Sequence, residues 1–201
     1  LLILSNGAYG KRMAEIAARH ATPHELLESA EDAPIDAAPL RALLRARPEL
    51  THVAVVHCET TTGVANPLAE IAEVVAACGR RLLIDAMSAF GVLPLAASLP
   101  FDAVAASSNK GLEGPPGIAF VLARTAALEA SAGRATSLVL DLHDQWRGLE
   151  SSGQWRFTPP THVLLGLARA LDELEAEGGA AARRARYEAN RDCLVAGMRP
   201  C

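Results

Sequence analysis

The sequence has few aromatic residues, no strong net charge and no long hydrophobic run. Aromatic side chains make up 4% of its 201 residues, and the formal net charge is −4. Basic residues are scattered along the chain, so there is no electrostatic reason to expect a nucleic-acid partner. No apolar run approaches the roughly 20 residues of a transmembrane helix. Half of the residues are hydrophobic, which is enough for one substantial core and a second small lobe.

The cysteines lack the spacing of a metal or redox motif. The four positions, Cys58, Cys78, Cys193 and Cys201, include no CxxC pair, so neither a zinc site nor a thioredoxin-type site is indicated. In a chain of this size we expect reduced thiols and a cytoplasmic location. The sequence therefore predicts no bound metal.

Apolar, strand-like runs alternate with helical patterns. We predict strands at residues 1–4, 52–57, 82–85, 103–106 and 118–122, and helices at residues 11–20, 67–78, 161–177 and 180–198, with an irregular segment at residues 151–160. Apolar strands separated by helices predict an α/β fold whose mainly parallel sheet is covered by helices. Ligands of such sheets gather at the carboxyl ends of the strands, where His57, Asp85 and Lys110 fall.

Lys110 and Asp85 form a chemically informative pair. Lys110 stands in a turn of small polar residues and glycines, just after an apolar run, and Asp85 ends another apolar run. Pyridoxal phosphate needs a lysine for its aldehyde and a carboxylate that keeps its pyridine nitrogen protonated. Taken singly, a loop lysine is usually a solvated charge and a strand-end Asp is often a cap or turn residue.

Several motifs carry a resemblance to a known family. They are the stretches 6–12, 57–63, 85–88, 109–110, 143–147 and 153–162. On these motifs the chain resembles the class V, fold-type I aminotransferases that use pyridoxal 5'-phosphate. It is most similar to the members that move the amino group of 2-aminoethylphosphonate to pyruvate. Those enzymes give phosphonoacetaldehyde and alanine, so the resemblance implies a role in phosphonate catabolism.

The resemblance implies roles for two catalytic residues. Lys110 would form the Schiff base with the cofactor and then shuttle the proton. Asp85 would pair with the pyridinium nitrogen.

Further cofactor contacts follow from the same resemblance. Tyr9 would lie against the cofactor face, Thr60 would bind the ring oxygen, Asn109 would contact the cofactor phosphate, and Met87 would complete the site. Thr158 would reach the cofactor of a neighbouring subunit, which implies a homodimer.

Other residues leave two interpretations open. His57 is either a site residue or a hydrogen-bonded structural residue. Trp146 and Trp155 are either core aromatics or interface anchors. Arg147 and Arg156 suit an anionic substrate, although either could be an ordinary surface charge.

The two ends of the chain also carry expectations. It begins inside a strand-like run and stops after a long helical pattern, so we expect a fragment of a longer protein. Residues 1–160 would form the cofactor-binding large domain without its N-terminal part. Residues 161–201 would form a helical connection toward a small C-terminal domain that is mostly missing. The family's glycine-rich phosphate loop would precede Leu1, and its carboxylate-binding arginine would follow Cys201.

Two alternatives to the predicted reaction remain. One is an alanine– or serine–glyoxylate aminotransferase. The other is a truncated, catalytically silent remnant that only dimerises. One departure bears on activity, since the family has one more residue before Asn109 than this chain.

Overall fold

The computed structural model describes residues 1–198. The elements in chain order are β1 (Leu2–Ser5), α1 (Ala8–Arg19), β2 (Glu25–Glu28), α2 (Ala38–Ala46), β3 (His52–Val56), β4 (Cys58–Glu59), β5 (Val64–Ala65), α3 (Leu68–Ala77), β6 (Arg81–Asp85), β7 (Ala103–Ser107), β8 (Ala119–Ala123), α4 (Thr125–Glu129), α5 (Leu142–Ser152), α6 (Thr161–Glu177) and α7 (Gly179–Met198). No helix in this part of the chain is both long and apolar enough to cross a membrane.

A six-stranded sheet forms the centre of the fold. Its strand order is β2-β1-β3-β6-β7-β8. The pairs β1–β2, β1–β3, β3–β6 and β6–β7 are all parallel. The short strands β4 and β5 form a separate antiparallel ribbon. The predicted α/β class with a mainly parallel sheet is confirmed.

The last strand, β8, runs in the opposite direction to its neighbour β7. The Arg124 N–H, just after β8, donates to the Asp102 carbonyl, just before β7, at 2.9 Å. At the other end, the Ser108 N–H, just after β7, donates to the Ile118 carbonyl at 3.1 Å. Because the end of one strand meets the start of the other, β8 runs antiparallel to β7. The sheet is therefore mixed at this edge.

Alternating side chains pack on the two faces of the strands. On one face, α1 contributes Met13, Ala14 and Ala17 to a cluster with Ile3 and Ala54. On the other face lie buried residues of β1, β3 and β6, and α3 packs beside β6. Strands that are buried on both faces read as continuous apolar runs, which is why the sequence shows them clearly.

The chain divides into two compact units. The first comprises residues 1–86, 98–105 and 120–159, and the second comprises residues 87–97, 106–119 and the segment from residue 160 onward. The second unit contains the Lys110 turn and the helices α6 and α7. The domain boundary predicted at residue 160 stays a prediction, and its C-terminal residues 199–201, including Cys201, lie outside the described residues.

Some elements differ from the sequence-based expectation. Helix α1 begins at Ala8, three residues before the predicted start at residue 11, and α5 extends to Ser152, inside the segment predicted to be irregular. Strand β2 and helix α2 were not predicted. In β2, the sequence Glu-Leu-Leu-Glu has polar residues at both ends and only partial burial, so it lacks the apolar run of a central strand.

Candidate active site

A buried carboxylate organises the first unit near Tyr9. Glu59 is 0% exposed, and its two carboxylate oxygens accept from the Tyr9 N–H at 3.2 and 3.4 Å. The same carboxylate accepts from the Thr61 hydroxyl at 2.9 Å. A negative group at a helix N-terminus satisfies N–H groups that have no partner in the helix. Glu59 therefore fixes the start of α1 and the Thr60 turn relative to each other.

Gly7 leaves the space that this carboxylate occupies. A Cβ added at Gly7 would lie 2.5 Å from the Cγ of Glu59. That is closer than two carbon atoms can approach without movement. The glycine in the sequence Asn6-Gly7 is therefore required by a close approach of side chain to backbone.

A pair of buried amides joins three segments. Asn66 donates to the Asn6 side-chain oxygen at 3.1 Å and to the Val56 carbonyl at 2.8 Å. Its own amide oxygen accepts from the Ile35 N–H at 2.9 Å and from the Asn6 amide at 3.0 Å. Buried polar groups need such partners. This network fixes the loops that follow β1 and β3.

His57 follows β3 and contacts the end of β6 through its backbone. Its N–H donates to the Asp85 carbonyl at 2.8 Å, and its carbonyl accepts from the Asn66 N–H at the same distance. The side chain is buried, and its Nδ1 has no hydrogen-bond partner within residues 1–198. Burial lowers the pKa of His57 below the ordinary 6.5, so the imidazole is neutral at pH 7. These contacts favour the structural interpretation of His57.

The remaining predicted residues of this unit differ in exposure. Asp85 is the last residue of β6 and is half-buried, as is the Tyr9 ring, whereas Thr60 is exposed. The Arg12 guanidinium lies 4.7 Å from the centroid of the Tyr9 ring, a cation–π distance.

In the second unit, Lys110 lies in a tightly bonded turn. The Lys110 carbonyl accepts from the Glu113 N–H at 2.8 Å, and the Ser108 carbonyl accepts from the Gly114 N–H at 2.8 Å. The Ser108 hydroxyl donates to the Pro115 carbonyl at 2.6 Å. Lys110 and Asn109 are exposed and Met87 is half-buried. The turn therefore fixes the Lys110 backbone while leaving its amine accessible.

Thr158 lies in an exposed segment of the first unit. It lines a cavity of about 590 Å³ with the neighbouring residues 154–159. Trp155 and Phe157 in this segment are each 47% exposed, so Trp155 is not a core aromatic.

The two arginines and the other tryptophan have local partners. Arg156 donates to the Leu138 carbonyl at 3.2 Å and pairs with Asp144 at 3.5 Å, which favours a structural role over binding of an anionic substrate. The Arg147 guanidinium lies 5.6 Å from the Trp146 ring, and Trp146 is half-buried.

Sequence analysis missed three residues that organise these segments: Glu59, Asn66 and Glu113. Glu59 stands within a quoted motif, but an acid in a Thr-rich turn gives no sign that it is buried. Asn66 and Glu113 act through partners distant in sequence, which periodicity does not detect.

A comparison with known protein families assigns the chain to one of them. Residues 11–200 match the family described as aminotransferase class-V. The chain belongs to the class-V aminotransferase family. The predicted resemblance is confirmed at this level.

Relatives and solved structures agree with the family. The aminotransferase chain is 52% identical over 199 residues to a 2-aminoethylphosphonate–pyruvate transaminase of Pseudomonas putida, covering 98% of this chain and 54% of the relative. Pyridoxamine–pyruvate aminotransferase from Mesorhizobium loti matches with a TM-score of 0.83 at 30% identity, over 92% of this chain and 48% of that one. Ureidoglycine–glyoxylate aminotransferase from Bacillus subtilis matches with a TM-score of 0.86 at 25% identity, over 98% and 52%.

These matches show which fold the chain has and how much of its relatives' length it spans. The fold is that of fold-type I aminotransferases. The chain spans about half the length of the curated relatives that it matches.

Proposed function

We propose that this protein is a pyridoxal-phosphate-dependent transaminase that moves the amino group of 2-aminoethylphosphonate to pyruvate, with phosphonoacetaldehyde and alanine as products. The observation that carries the proposal is the 52% identity, over almost the whole chain, to transaminases of that name. The two solved neighbours at 25–30% identity are named for other amino donors, and one of them is also named for another acceptor, glyoxylate. Because their identity to this chain is lower, we prefer 2-aminoethylphosphonate and pyruvate as the substrates over an alanine– or serine–glyoxylate reaction.

The residues present fit the proposed cofactor chemically. Lys110 offers an exposed amine on a fixed turn, and Asp85 offers a carboxylate at the end of a parallel strand. Thr60 and Asn109 offer exposed polar side chains, and Tyr9 offers an aromatic face. An amine, a carboxylate, polar donors and a ring are the groups that hold and tune pyridoxal phosphate.

Each of these residues would have a distinct task in the reaction. When bound, the cofactor supplies an electron sink, because its ring accepts the electron pair that remains when the substrate carbon loses a proton. Lys110 would hold the cofactor through Nζ, and its amine, once displaced by the substrate amine, would carry the proton. Asp85 would keep the ring nitrogen protonated through its carboxylate. Tyr9, Thr60 and Met87 would orient the ring, and Asn109 would contact the cofactor phosphate.

We also propose a homodimer in which Thr158 faces the partner's site. Support comes from the exposure of Trp155 and Phe157 on either side of it, because large aromatics are common interface anchors. The nearby Leu138, Val139 and Leu140 are 65–76% exposed, and such a patch needs a covering surface. The predicted cytoplasmic location stays a prediction.

Borohydride trapping tests the role of Lys110. The full-length protein, mixed with pyridoxal phosphate and reduced, should carry the cofactor on the peptide containing Lys110. Lys110→Ala should lose the label and all transamination. Lys11→Ala is the matched control, since Lys11 is the other lysine of this sequence and pairs with Glu31 at 2.8 Å. A label that survives Lys110→Ala would contradict the assignment.

The substrate needs a separate assay. Alanine formation should require 2-aminoethylphosphonate and pyruvate together. Equal or faster turnover with alanine or serine and glyoxylate would favour the glyoxylate alternative. No turnover with any of these pairs, in a folded dimer, would favour the silent remnant.

A further inference from the structure

A cluster of charged residues lies beside the Lys110 turn, within the second unit. Glu113 of the turn meets Arg183, Arg186 and Tyr187 of α7, and both arginines also meet Glu177 at the end of α6. Tyr187 donates to Glu113 at 2.6 Å, and Arg186 donates to both Glu113 oxygens at 3.0 Å. Arg186 also donates to Glu177 at 2.7 Å. None of these side chains has a role in the reaction proposed above.

Arg183 ties the turn to the helices through a buried charge. It is 2% exposed, and its Nη1 donates to the carbonyl of Gly111, the residue after Lys110, at 3.1 Å. Its Nη2 lies 2.8 Å from Glu177 and 3.6 Å from Glu113. A buried guanidinium is costly unless it is paired and hydrogen-bonded. Here it has both kinds of partner, and one of them is the backbone next to the proposed cofactor lysine.

The backbone of Glu113 has a conformation that normally favours glycine. Its φ is +59°, one of only two positive values at non-glycine positions within residues 1–198. A side chain in this region costs free energy, yet position 113 carries a glutamate. Its carboxylate accepts hydrogen bonds from Tyr187 and Arg186. These bonds lower the pKa of Glu113. Hydrogen bonds from Arg186 and Arg183 lower the pKa of Glu177 to about 2.

An ordinary surface network is the simpler interpretation. Exposed ion pairs contribute little to stability, and Glu113 and Arg186 are both substantially exposed. Two observations argue against that interpretation. Arg183 is buried, and Glu113 keeps an unfavourable backbone conformation three residues after Lys110, in the turn that the Lys110 carbonyl closes.

We propose that Glu113 is a positioning residue for Lys110, acting with Arg183. The α7 side chains hold the Glu113 carboxylate, the carboxylate holds residue 113 in the left-handed conformation, and that conformation fixes the direction in which the Lys110 side chain leaves the turn. This inference rests on the proposed function, in which Lys110 binds the cofactor.

The test compares three variants of the full-length protein. Glu113→Gly removes the carboxylate but suits the left-handed backbone, so the variant should fold. Glu113→Gln keeps the shape and removes the charge. Glu173→Gln is the matched control, because Glu173 pairs with Arg169 on the exposed side of α6 in the same unit.

The first measurement needs no cofactor. Hydrogen exchange of peptides covering residues 107–117 should be faster by about tenfold in Glu113→Gly, as expected for the loss of hydrogen bonds to a charged group. Glu113→Gln should lie between that variant and the parent. The control should match the parent. Parent-like exchange in both Glu113 variants would overturn the proposed tether.

The second measurement concerns the lysine. Formation of the borohydride-trappable bond between Lys110 and added pyridoxal phosphate should slow in Glu113→Gly. Its kcat should fall by about 100-fold, as a small misplacement of a reacting group allows, with KM for the amino donor nearly unchanged. A change in melting temperature alone, with parent-like trapping and kcat, would make Glu113 merely structural. A failure of the proposed function is separate, since it would appear as a label on a lysine other than Lys110 in the parent protein.

Discussion

At the scale of single residues, the carboxylates of Glu59 and Asp85 lie in different surroundings. Glu59 is fully buried and is occupied by N–H and hydroxyl donors, so it holds structure. Asp85 is half-buried at the end of β6, the position where parallel sheets present functional groups. Their residue type is nearly the same, and their surroundings are the reason that we propose a cofactor contact for Asp85 only.

The proposed role of Asp85 leads to a specific expectation. Asp85→Asn should still allow the cofactor to bond to Lys110 but should lower turnover by orders of magnitude, because an amide cannot stabilise a protonated ring nitrogen. Asp85→Glu should be less harmful, since it keeps the charge. Single-turnover rates with 2-aminoethylphosphonate would measure both effects. Equal rates for the parent and Asp85→Asn would make this aspartate structural only.

At the scale of elements, α6 packs closely against the segment that follows Lys110. A Cβ added at Gly166, in the middle of α6, would lie 2.4 Å from the Cγ of Pro115. The Pro115 ring is stiff and cannot move aside as a flexible chain end could. The carbonyl of the same proline accepts from Ser108. A side chain added at Gly166 would therefore displace Pro115 and, through it, the Lys110 turn.

The same substitution in two helices should have opposite effects on stability. Gly166→Ala should lower the free energy of unfolding by about 1–3 kcal/mol, the usual cost of overpacking. Gly197→Ala, in α7, meets no atom within 4 Å and should raise it by up to roughly 1 kcal/mol through helix propensity. Urea denaturation of the full-length protein would measure both changes. Stabilisation by Gly166→Ala would show that Pro115 can move.

The elements also show how far sequence reasoning reaches. The central strands were predicted because burial on both faces leaves an uninterrupted apolar run, as in β3 and β6. The start of α1 was missed because its first turn depends on Glu59, which is 50 residues away from Tyr9. The left-handed conformation of Glu113 was equally hidden, because it depends on side chains of α7 more than 70 residues away. Local patterns therefore predicted the position of Lys110 and Asp85, but not the groups that hold their surroundings.

At the scale of the whole molecule, the exposed segment around Thr158 leads to an expectation about assembly. The full-length protein should sediment as a dimer. Trp155→Ala together with Phe157→Ala should weaken the dimer and lower activity, because aromatic anchors carry much of the binding energy of an interface. Ile16→Ala is the matched control, because Ile16 lies in α1, outside the segment, and is 51% exposed. A fully active monomer would contradict both the interface and the role proposed for Thr158.

The left-handed conformation of Glu113 also has a consequence for how this position can vary under selection. A library screened only for the yield of folded protein should accept glycine at position 113 beside glutamate, because glycine adopts a positive φ at no steric cost. A library screened for the proposed transamination should instead retain glutamate, because only the carboxylate holds the turn. The two selections would therefore leave different residues at the same codon, so sequence variation at position 113 would record which of the two requirements dominated in a given lineage.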